Sequence, residues 1–118
     1  MTETIKPLYW VGSSKKDLLA LPENVVDVFG FALHLAQTGK KHFQAKPLRG
    51  FGGAGVIEIA EEHKGDTYRA IYTVKFAKRV YVLHCFQKKS KRGTQTPKPD
   101  IQLIRERLRI AKQHAAGM

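Results

Sequence analysis

The sequence predicts an α+β fold: a single small domain with a mostly antiparallel sheet and helices on one face. Two observations carry this prediction. Apolar residues recur at helical spacing in two segments, and three consecutive strand-like runs lie between those segments. The chain has 118 residues, the size of one domain, and 42% of them are hydrophobic, which is enough for a core. We therefore assign residues 1–118 to one domain with the order β-α-α-β-β-β-α.

The first half of the sequence is mainly helical. A strand over Ile5–Val11 precedes a short helix over Lys15–Leu21, and Pro22 begins a second helix that Gly39 ends. The apolar face of this second helix consists of Val25, Val28, Phe29, Ala32, Leu33 and Ala36. A loop over Lys40–Gly55 follows, and we interpret its glycine-rich end as a mobile turn because it lacks the Gly-Lys-Ser/Thr ending of a phosphate loop.

Three strands and a helix make up the second half. The strands are predicted over Val56–Glu62, Thr67–Lys75 and Val80–Gln87, with turns at Lys64-Gly65 and Ala77-Lys78. The last helix, opened by Pro99 and Asp100, has an apolar stripe of Ile101, Ile104, Leu108 and Ala111. A basic row lies beside that stripe at helical spacing and consists of Arg105, Arg109 and Lys112.

Turn length predicts which strand residues face one another. Two-residue turns pair Arg69 with position 60 and with Phe86, and they pair Ile71 with Glu58 and His84. Side chains alternate between the two faces of a sheet. The predicted core face carries Ile57, Ile59, Tyr68, Ala70, Tyr72, Val74, Phe76, Tyr81, Leu83 and Cys85. The other face carries Glu58, Arg69, Thr73, Lys75, His84, Phe86 and Lys88. Because this face combines a carboxylate, a guanidinium, an imidazole and an ammonium group, it is the predicted chemical site.

The positive charge is concentrated at one end of the chain. The formal net charge is +11 and the sequence pI is about 10.0. Residues 75–118 hold 12 of the 21 Lys and Arg and 2 of the 10 Asp and Glu, a net of +10. A localised basic surface favours a nucleic-acid partner, with an acidic protein or a membrane surface as the alternatives.

Other features bear on compartment and cofactors. The chain has one cysteine, Cys85, and no signal peptide or apolar run of spanning length, so we expect a cytoplasmic protein with no membrane association. Its histidines lack metal-ligand spacing, which argues against a zinc site. We predict no metal and no cofactor.

Several short motifs resemble the phage-derived, HigB-like branch of the RelE toxin superfamily, with matching spacing from about Lys46 to Arg109. They are Arg49-Gly50, Val56-Ile57-Glu58-Ile59, Tyr68-Arg69-Ala70-Ile71-Tyr72, Leu83-His84-Cys85-Phe86-Gln87-Lys88-Lys89-Ser90, Thr96-Pro97 and Asp100-Ile101. The resemblance implies the RelE-like fold and a type II toxin that cuts messenger RNA on the ribosome without a metal. It also implies an antitoxin partner, commonly a helix-turn-helix protein encoded nearby.

The same resemblance implies site residues. Arg69 matches the arginine that contacts the scissile phosphate, and Lys88 and Lys89 match further basic catalytic or binding groups. The sequence departs from the family pattern where many relatives have basic residues, because it has Glu58 and Ala60 there. It also has no tyrosine after Tyr81. These departures leave the general base unidentified.

Each candidate residue has two interpretations. Arg69 is a phosphate clamp or a structural ion-pair partner of Glu58, and Glu58 is a general base or a carboxylate that Arg69 steers into place. His84 transfers protons or is simply packed. Lys88 and Lys89 contact RNA or belong to a solvated loop, and the remaining predicted RNA contacts are Lys75, Lys91 and Arg92. The predicted activity is that of an endoribonuclease. The alternative is a non-enzymatic toxin or RNA-binding module that blocks a replication or translation component by contact.

Overall fold

A computed structural model of the protein describes residues 5–53, 55–88 and 95–117. Within these residues the elements are β1 (Leu8–Trp10), α1 (Ser14–Leu19), α2 (Glu23–Gln37), β2 (Lys46–Pro47), β3 (Val56–His63), β4 (Asp66–Thr73), β5 (Val80–Lys88) and α3 (Lys98–Ala116). The strands form a sheet in the order β1-β5-β4-β3-β2, in which β1 is parallel to β5 and the other neighbours are antiparallel. The predicted α+β class and mostly antiparallel sheet are confirmed. The added strand β2 lies inside the segment that was predicted as a loop.

The turn between β3 and β4 has the predicted two-residue form. Lys64 and Gly65 have φ values of 50° and 84°, and His63 pairs with Asp66. Two positive φ values are required by the turn type whose twist matches that of a hairpin, and glycine adopts them at no steric cost. This turn sets the register of the whole hairpin, so Arg69 lies opposite Ala60 as predicted.

The pairing of β4 with β5 is partly as predicted. Arg69 lies opposite Phe86 and Ile71 lies opposite His84, which confirms the predicted register in this part. After Ile71 the register shifts, and Tyr72 pairs with Val82. Leu83 is therefore an extra residue in β5, a β-bulge. The predicted two-residue turn at Ala77-Lys78 is wrong, because residues 74–79 form a six-residue connection.

The bulge changes which residues of β5 face helix α2. An extra residue reverses the alternation of side chains beyond it. Val80 and Val82 therefore pack with α2, whereas Tyr81 and Leu83 lie on the opposite face. The prediction that placed Tyr81 and Leu83 on the α2 side is wrong. Val74, also predicted for the core, is 41% exposed because β4 ends before it.

The helices cover both faces of the sheet. Helices α1 and α2 pack on one face through Leu18, Phe29 and Leu33, and α2 uses the apolar face predicted from its sequence. Helix α3 packs on the other face through Ile104 and Ala111, so the expectation that all helices lie on one face is wrong for α3. The physical reason is that this face of the sheet is also apolar, with Val56, Ile71 and Leu83 among its buried residues. None of the helices in the described residues is both long and apolar enough to cross a membrane.

The placement of α3 predicts a difference between two isoleucines of that helix. Ile104 is fully buried, whereas Ile110 is 39% exposed. We expect Ile104→Ala to lower the free energy of unfolding by about 2–5 kcal/mol, through reduced burial and a residual cavity. Ile110→Ala is the matched control and should change it by about 0.5 kcal/mol or less. Urea unfolding followed by circular dichroism measures both, and equal losses would contradict this packing.

Candidate functional site

A buried ion pair joins the two central strands on the face that α3 covers. Arg69 Nη1 of β4 donates a hydrogen bond to Glu58 Oε2 of β3 over 2.9 Å. Both side chains are almost completely buried, with 5% and 4% of their surfaces exposed. The hairpin register brings them together, because Glu58 lies opposite Ile71 and Arg69 is two residues before Ile71 on the same face. The predicted pairing of these two residues is thus observed.

Thr96 and Lys46 complete the surroundings of this pair. Arg69 Nη1 donates a hydrogen bond to Thr96 Oγ1 over 2.8 Å, and Thr96 Oγ1 donates to Glu58 Oε2 over 3.3 Å. Lys46 of β2 places its Nζ 3.6 Å from Glu58 Oε1. Both carboxylate oxygens of Glu58 are therefore engaged. Sequence reasoning assigned no role to Lys46, because nothing in the residues around it indicates a two-residue strand beside β3.

The ion pair lies in a cleft of about 370 Å³ between β2, the loop that follows it and the start of α3. Four basic side chains line this cleft, against one carboxylate, that of Glu58, among the described lining residues. The basic residues are Lys46, Arg49, Arg69 and Arg105. A concave site with this excess of positive charge attracts anions, and guanidinium groups match the geometry of phosphate oxygens.

The wall of the cleft combines the glycine-rich loop with α3. Arg105 Nη2 donates a hydrogen bond to the carbonyl oxygen of Gly50 over 3.1 Å. The guanidinium of Arg105 also lies over the ring of Phe51, 4.6 Å from the ring centre. Gly50 has a φ of 94°, a backbone conformation that residues with a β-carbon rarely adopt. The loop and α3 therefore form one continuous basic wall.

Lys88 lies at the end of β5, near Arg69 but outside the lining of the cleft. It is 9% exposed. Burial lowers the pKa of Lys88, and the nearby positive charge of Arg69 lowers it further, while Glu58 acts in the opposite direction. An ammonium group in these surroundings releases its proton more readily than an exposed one.

His84 contacts the start of α3 and does not line the cleft. Its Nε2 is 2.7 Å from Asp100 Oδ1, and its ring stacks on Phe86 with the ring centres 4.4 Å apart. Its Nδ1 is buried, with no hydrogen-bond partner among the described residues. Burial lowers the pKa of His84, and Arg107 acts in the same direction, whereas the hydrogen bond to Asp100 raises it. Phe86 is accordingly engaged in packing.

Among the other predicted RNA contacts, the structure describes Lys75 alone, and Lys75 does not line this cleft. Lys75 is exposed in the connection after β4 and lines a different pocket. Lys89, Lys91 and Arg92 lie outside the described residues. Cys85 is on the core face as predicted, and burial raises the pKa of its thiol to about 12. Across residues 5–53, 55–88 and 95–117, no group of three His, Cys, Asp or Glu side chains could hold a metal ion.

Comparison with known proteins gives one match. A family model described as Phage derived protein Gp49-like (DUF891) matches residues 16–109. This range covers most of the chain, from α1 into the second half of α3, and it includes every residue that lines the cleft. None of the curated proteins matches this chain.

The buried ion pair predicts a large stability loss when its carboxylate is removed. Glu58→Ala removes one hydrogen-bond acceptor from the buried charge of Arg69, so we expect the free energy of unfolding to fall by about 3–5 kcal/mol. The matched control is Glu106→Ala, since Glu106 pairs with Arg109 on the exposed surface of α3. That loss should be about 1 kcal/mol or less. Urea denaturation measures both, and similar losses would show that the Glu58–Arg69 pair is not buried in solution.

The lowered pKa of His84 predicts a pH dependence of stability. The unfolded chain binds a proton at this imidazole near pH 6.5, above the pKa of the folded state. Stability from this group is therefore present above about pH 6.5 and is lost as the pH falls from there through the folded pKa. His84→Gln should make the fall in unfolding free energy between about pH 7 and pH 5 shallower. Parallel curves for the two proteins would contradict this, because all other titrating groups cancel in the difference.

Proposed function

Because the chain belongs to the phage-derived Gp49-like family, a RelE-like family associated with toxin–antitoxin systems, we propose that it is the toxin of such a system and acts as an endoribonuclease on messenger RNA. The observation that carries the proposal is the position of Arg69 in a cleft with three further basic side chains. An RNA strand offers that cleft a phosphate for each nucleotide. Three of the four basic residues of the cleft are arginines, and a planar guanidinium is a group that can bind two phosphate oxygens at once.

The proposed reaction uses the nucleophile that RNA itself carries. The ribose 2′-oxygen forms a bond to phosphorus while the bond from phosphorus to the 5′-oxygen of the next nucleotide breaks. The 2′-hydroxyl loses its proton and the leaving 5′-oxygen gains one, so the products are a 2′,3′-cyclic phosphate and a 5′-hydroxyl. The enzyme has to align the strand, stabilise the negative charge on the phosphate oxygens and move these protons.

Arg69 is the proposed charge-stabilising group. Its hydrogen bonds to Glu58 and Thr96 fix the guanidinium before substrate binds. A donor that is already oriented stabilises developing charge without a reorganisation cost. Since both oxygens of Glu58 are engaged by other residues, we assign Glu58 mainly to orienting Arg69, with proton abstraction as its second possible role.

Lys88 is the proposed proton donor to the 5′-oxygen. It does not line the cleft, but unlike His84 it lies close enough to Arg69 and Glu58 for both charges to act on its pKa. The direction of its pKa shift brings an ammonium group closer to the range in which it transfers protons at neutral pH. His84 does not line the cleft, and its contact with Asp100 instead supports the start of α3. In this scheme His84 positions α3, and with it Ile101 and Arg105 of the cleft wall.

The proposed partners follow from the family and the charge. The family association implies an antitoxin, which we propose is a helix-turn-helix protein encoded nearby. The basic cleft supports an RNA substrate, and we propose that this is messenger RNA on the ribosome in the cytoplasm. The engagement of Glu58 leaves no free carboxylate among the described cleft residues, and this favours, as a second candidate, a toxin that inhibits by contact alone.

Cleavage assays separate these two candidates. Purified protein, with ribosomes and message in excess chelator, should yield fragments with 2′,3′-cyclic phosphate and 5′-hydroxyl ends, identified by end-group analysis. Arg69→Ala should slow cleavage by about 10²–10³-fold, the usual cost of removing one donor to a developing oxyanion. Lys15→Ala, on the exposed surface of α1, is the charge-matched control and should cleave at the wild-type rate.

Two outcomes would contradict the proposed enzyme. Message that stays intact while the protein still arrests growth would favour the contact inhibitor. Equal cleavage by the wild type and by a folded Arg69→Ala variant would show that the cleft is not the catalytic site. Replacing the 2′-hydroxyl at the cut site with hydrogen should abolish cleavage and leave binding nearly unchanged, because phosphate contacts dominate affinity.

A further inference from the structure

A second basic pocket, of about 340 Å³, lies at the connection between β4 and β5. Its lining combines basic side chains with aromatic rings, namely Lys75, Lys78, Arg79, Phe76 and Tyr81. No carboxylate of the described residues lines it. The volume falls within the range of about 300–1,000 Å³ that holds small ligands. Cations beside an aromatic ring are the combination that binds single-stranded nucleic acid, since phosphates meet the charges and bases stack on the ring.

Helix α3 connects this pocket with the cleft around Arg69. Arg105 lines the cleft, and Ala115 lines the second pocket. Ten residues separate them, which is about 15 Å at a rise of about 1.5 Å per residue. Between them the exposed side chains of Arg105, Arg109 and Lys112 share one side of the helix, because they recur at intervals of four and three residues. In the described part of α3, Arg109 forms an ion pair with Glu106 on the exposed surface. A phosphate of an RNA strand can replace this partner, because exposed ion pairs are weak.

The glycine-rich loop links the same two pockets from the other side. Gly50 lines the cleft and accepts the hydrogen bond from Arg105. At the far end of the loop, Gly55 packs so closely on Lys75 that a β-carbon there would lie 3.2 Å from the Lys75 backbone nitrogen. The two ends of the loop therefore lie at the cleft and at the first residue of the second pocket, and Arg105 of α3 contacts the end at the cleft.

We propose that the cleft and this second pocket are the two ends of one binding track for single-stranded RNA. The cleft holds the phosphate that reacts. The second pocket holds a nucleotide further along the same strand, with its base against Phe76 and its phosphates beside Lys75 and Lys78. The inference rests on the proposed function and adds a substrate subsite remote from the reacting bond.

Salt-dependent binding of non-cleavable oligonucleotides tests the track. The probes are 2′-O-methyl oligouridylates of about two and about eight nucleotides, below and within the usual site size for single strands. For the long probe, Lys75→Ala/Lys78→Ala should reduce the slope of log affinity against log salt by about 1.4, because each phosphate that a lysine no longer neutralises accounts for about 0.7. For the short probe the slope should not change.

The matched control removes two lysines elsewhere. Lys15→Ala/Lys16→Ala makes the same change in net charge on the exposed surface of α1, and it should keep the wild-type slope for the long probe. Phe76→Leu should weaken binding of the long probe about 5- to 150-fold, the usual effect of removing one base stack. A long probe with abasic sites should bind the wild type and Phe76→Leu equally. Thermal unfolding checks that each variant is folded.

The outcomes distinguish this inference from the proposed function. Equal salt slopes for the two double variants, or an affinity that does not rise with probe length, would overturn the track. Displacement of the long probe by polyglutamate as readily as by unlabelled probe would overturn RNA as its ligand. The proposed function is judged separately by cleavage. If Arg69→Ala lowers cleavage while the salt slopes are equal, the track fails and the enzyme stands.

Discussion

The extra residue Leu83 in β5 determines how the two faces of the sheet are used. With regular alternation, Leu83 and Cys85 would point to the α2 side together. The bulge instead keeps Cys85 on that side and turns Leu83 and Tyr81 towards α3. Tyr81 and Leu83 thereby join Val56, Ile71 and Phe86 in the apolar surface on which the stripe of α3 packs. Since α3 supplies one wall of the basic cleft, the bulge contributes to the packing that holds this wall in place.

The Glu58–Arg69 pair lies where this second layer leaves the sheet partly uncovered. Two charges removed from water cost several kcal/mol each, and their attraction offsets this cost only with good geometry and further hydrogen bonds. Thr96 and Lys46 supply those further contacts from two different parts of the chain. Such a pair contributes little net stability compared with apolar residues of similar size. Its benefit in this protein is a guanidinium of fixed orientation at the base of a cleft.

The sequence correctly predicted those parts of the structure that depend on residues close together in the chain. The turn at Lys64-Gly65 needs two positive φ values, and from it the register that joins Glu58 and Arg69 followed correctly. The bulge at Leu83 has no local signal, because an apolar residue fits either face of a sheet covered on both sides. The placement of α3 on the wrong face came from assigning all the helices to a single apolar face of the sheet, whereas both faces are apolar. Lys46 and the second pocket depend on contacts between distant segments, which periodicity alone does not contain.

The parallel pairing of β1 with β5 has a consequence for the order in which the chain completes its fold. Leu8 pairs with Val80, 72 residues later, so β1 cannot complete its pairing before β5 has been synthesised. Contacts at such separation form late because a large loop must close first. Helix α3 follows all five strands in the chain and supplies one wall of the basic cleft. A nascent chain in which α3 has not yet been made therefore has an incomplete cleft, even though the strands that carry Glu58 and Arg69 are already present.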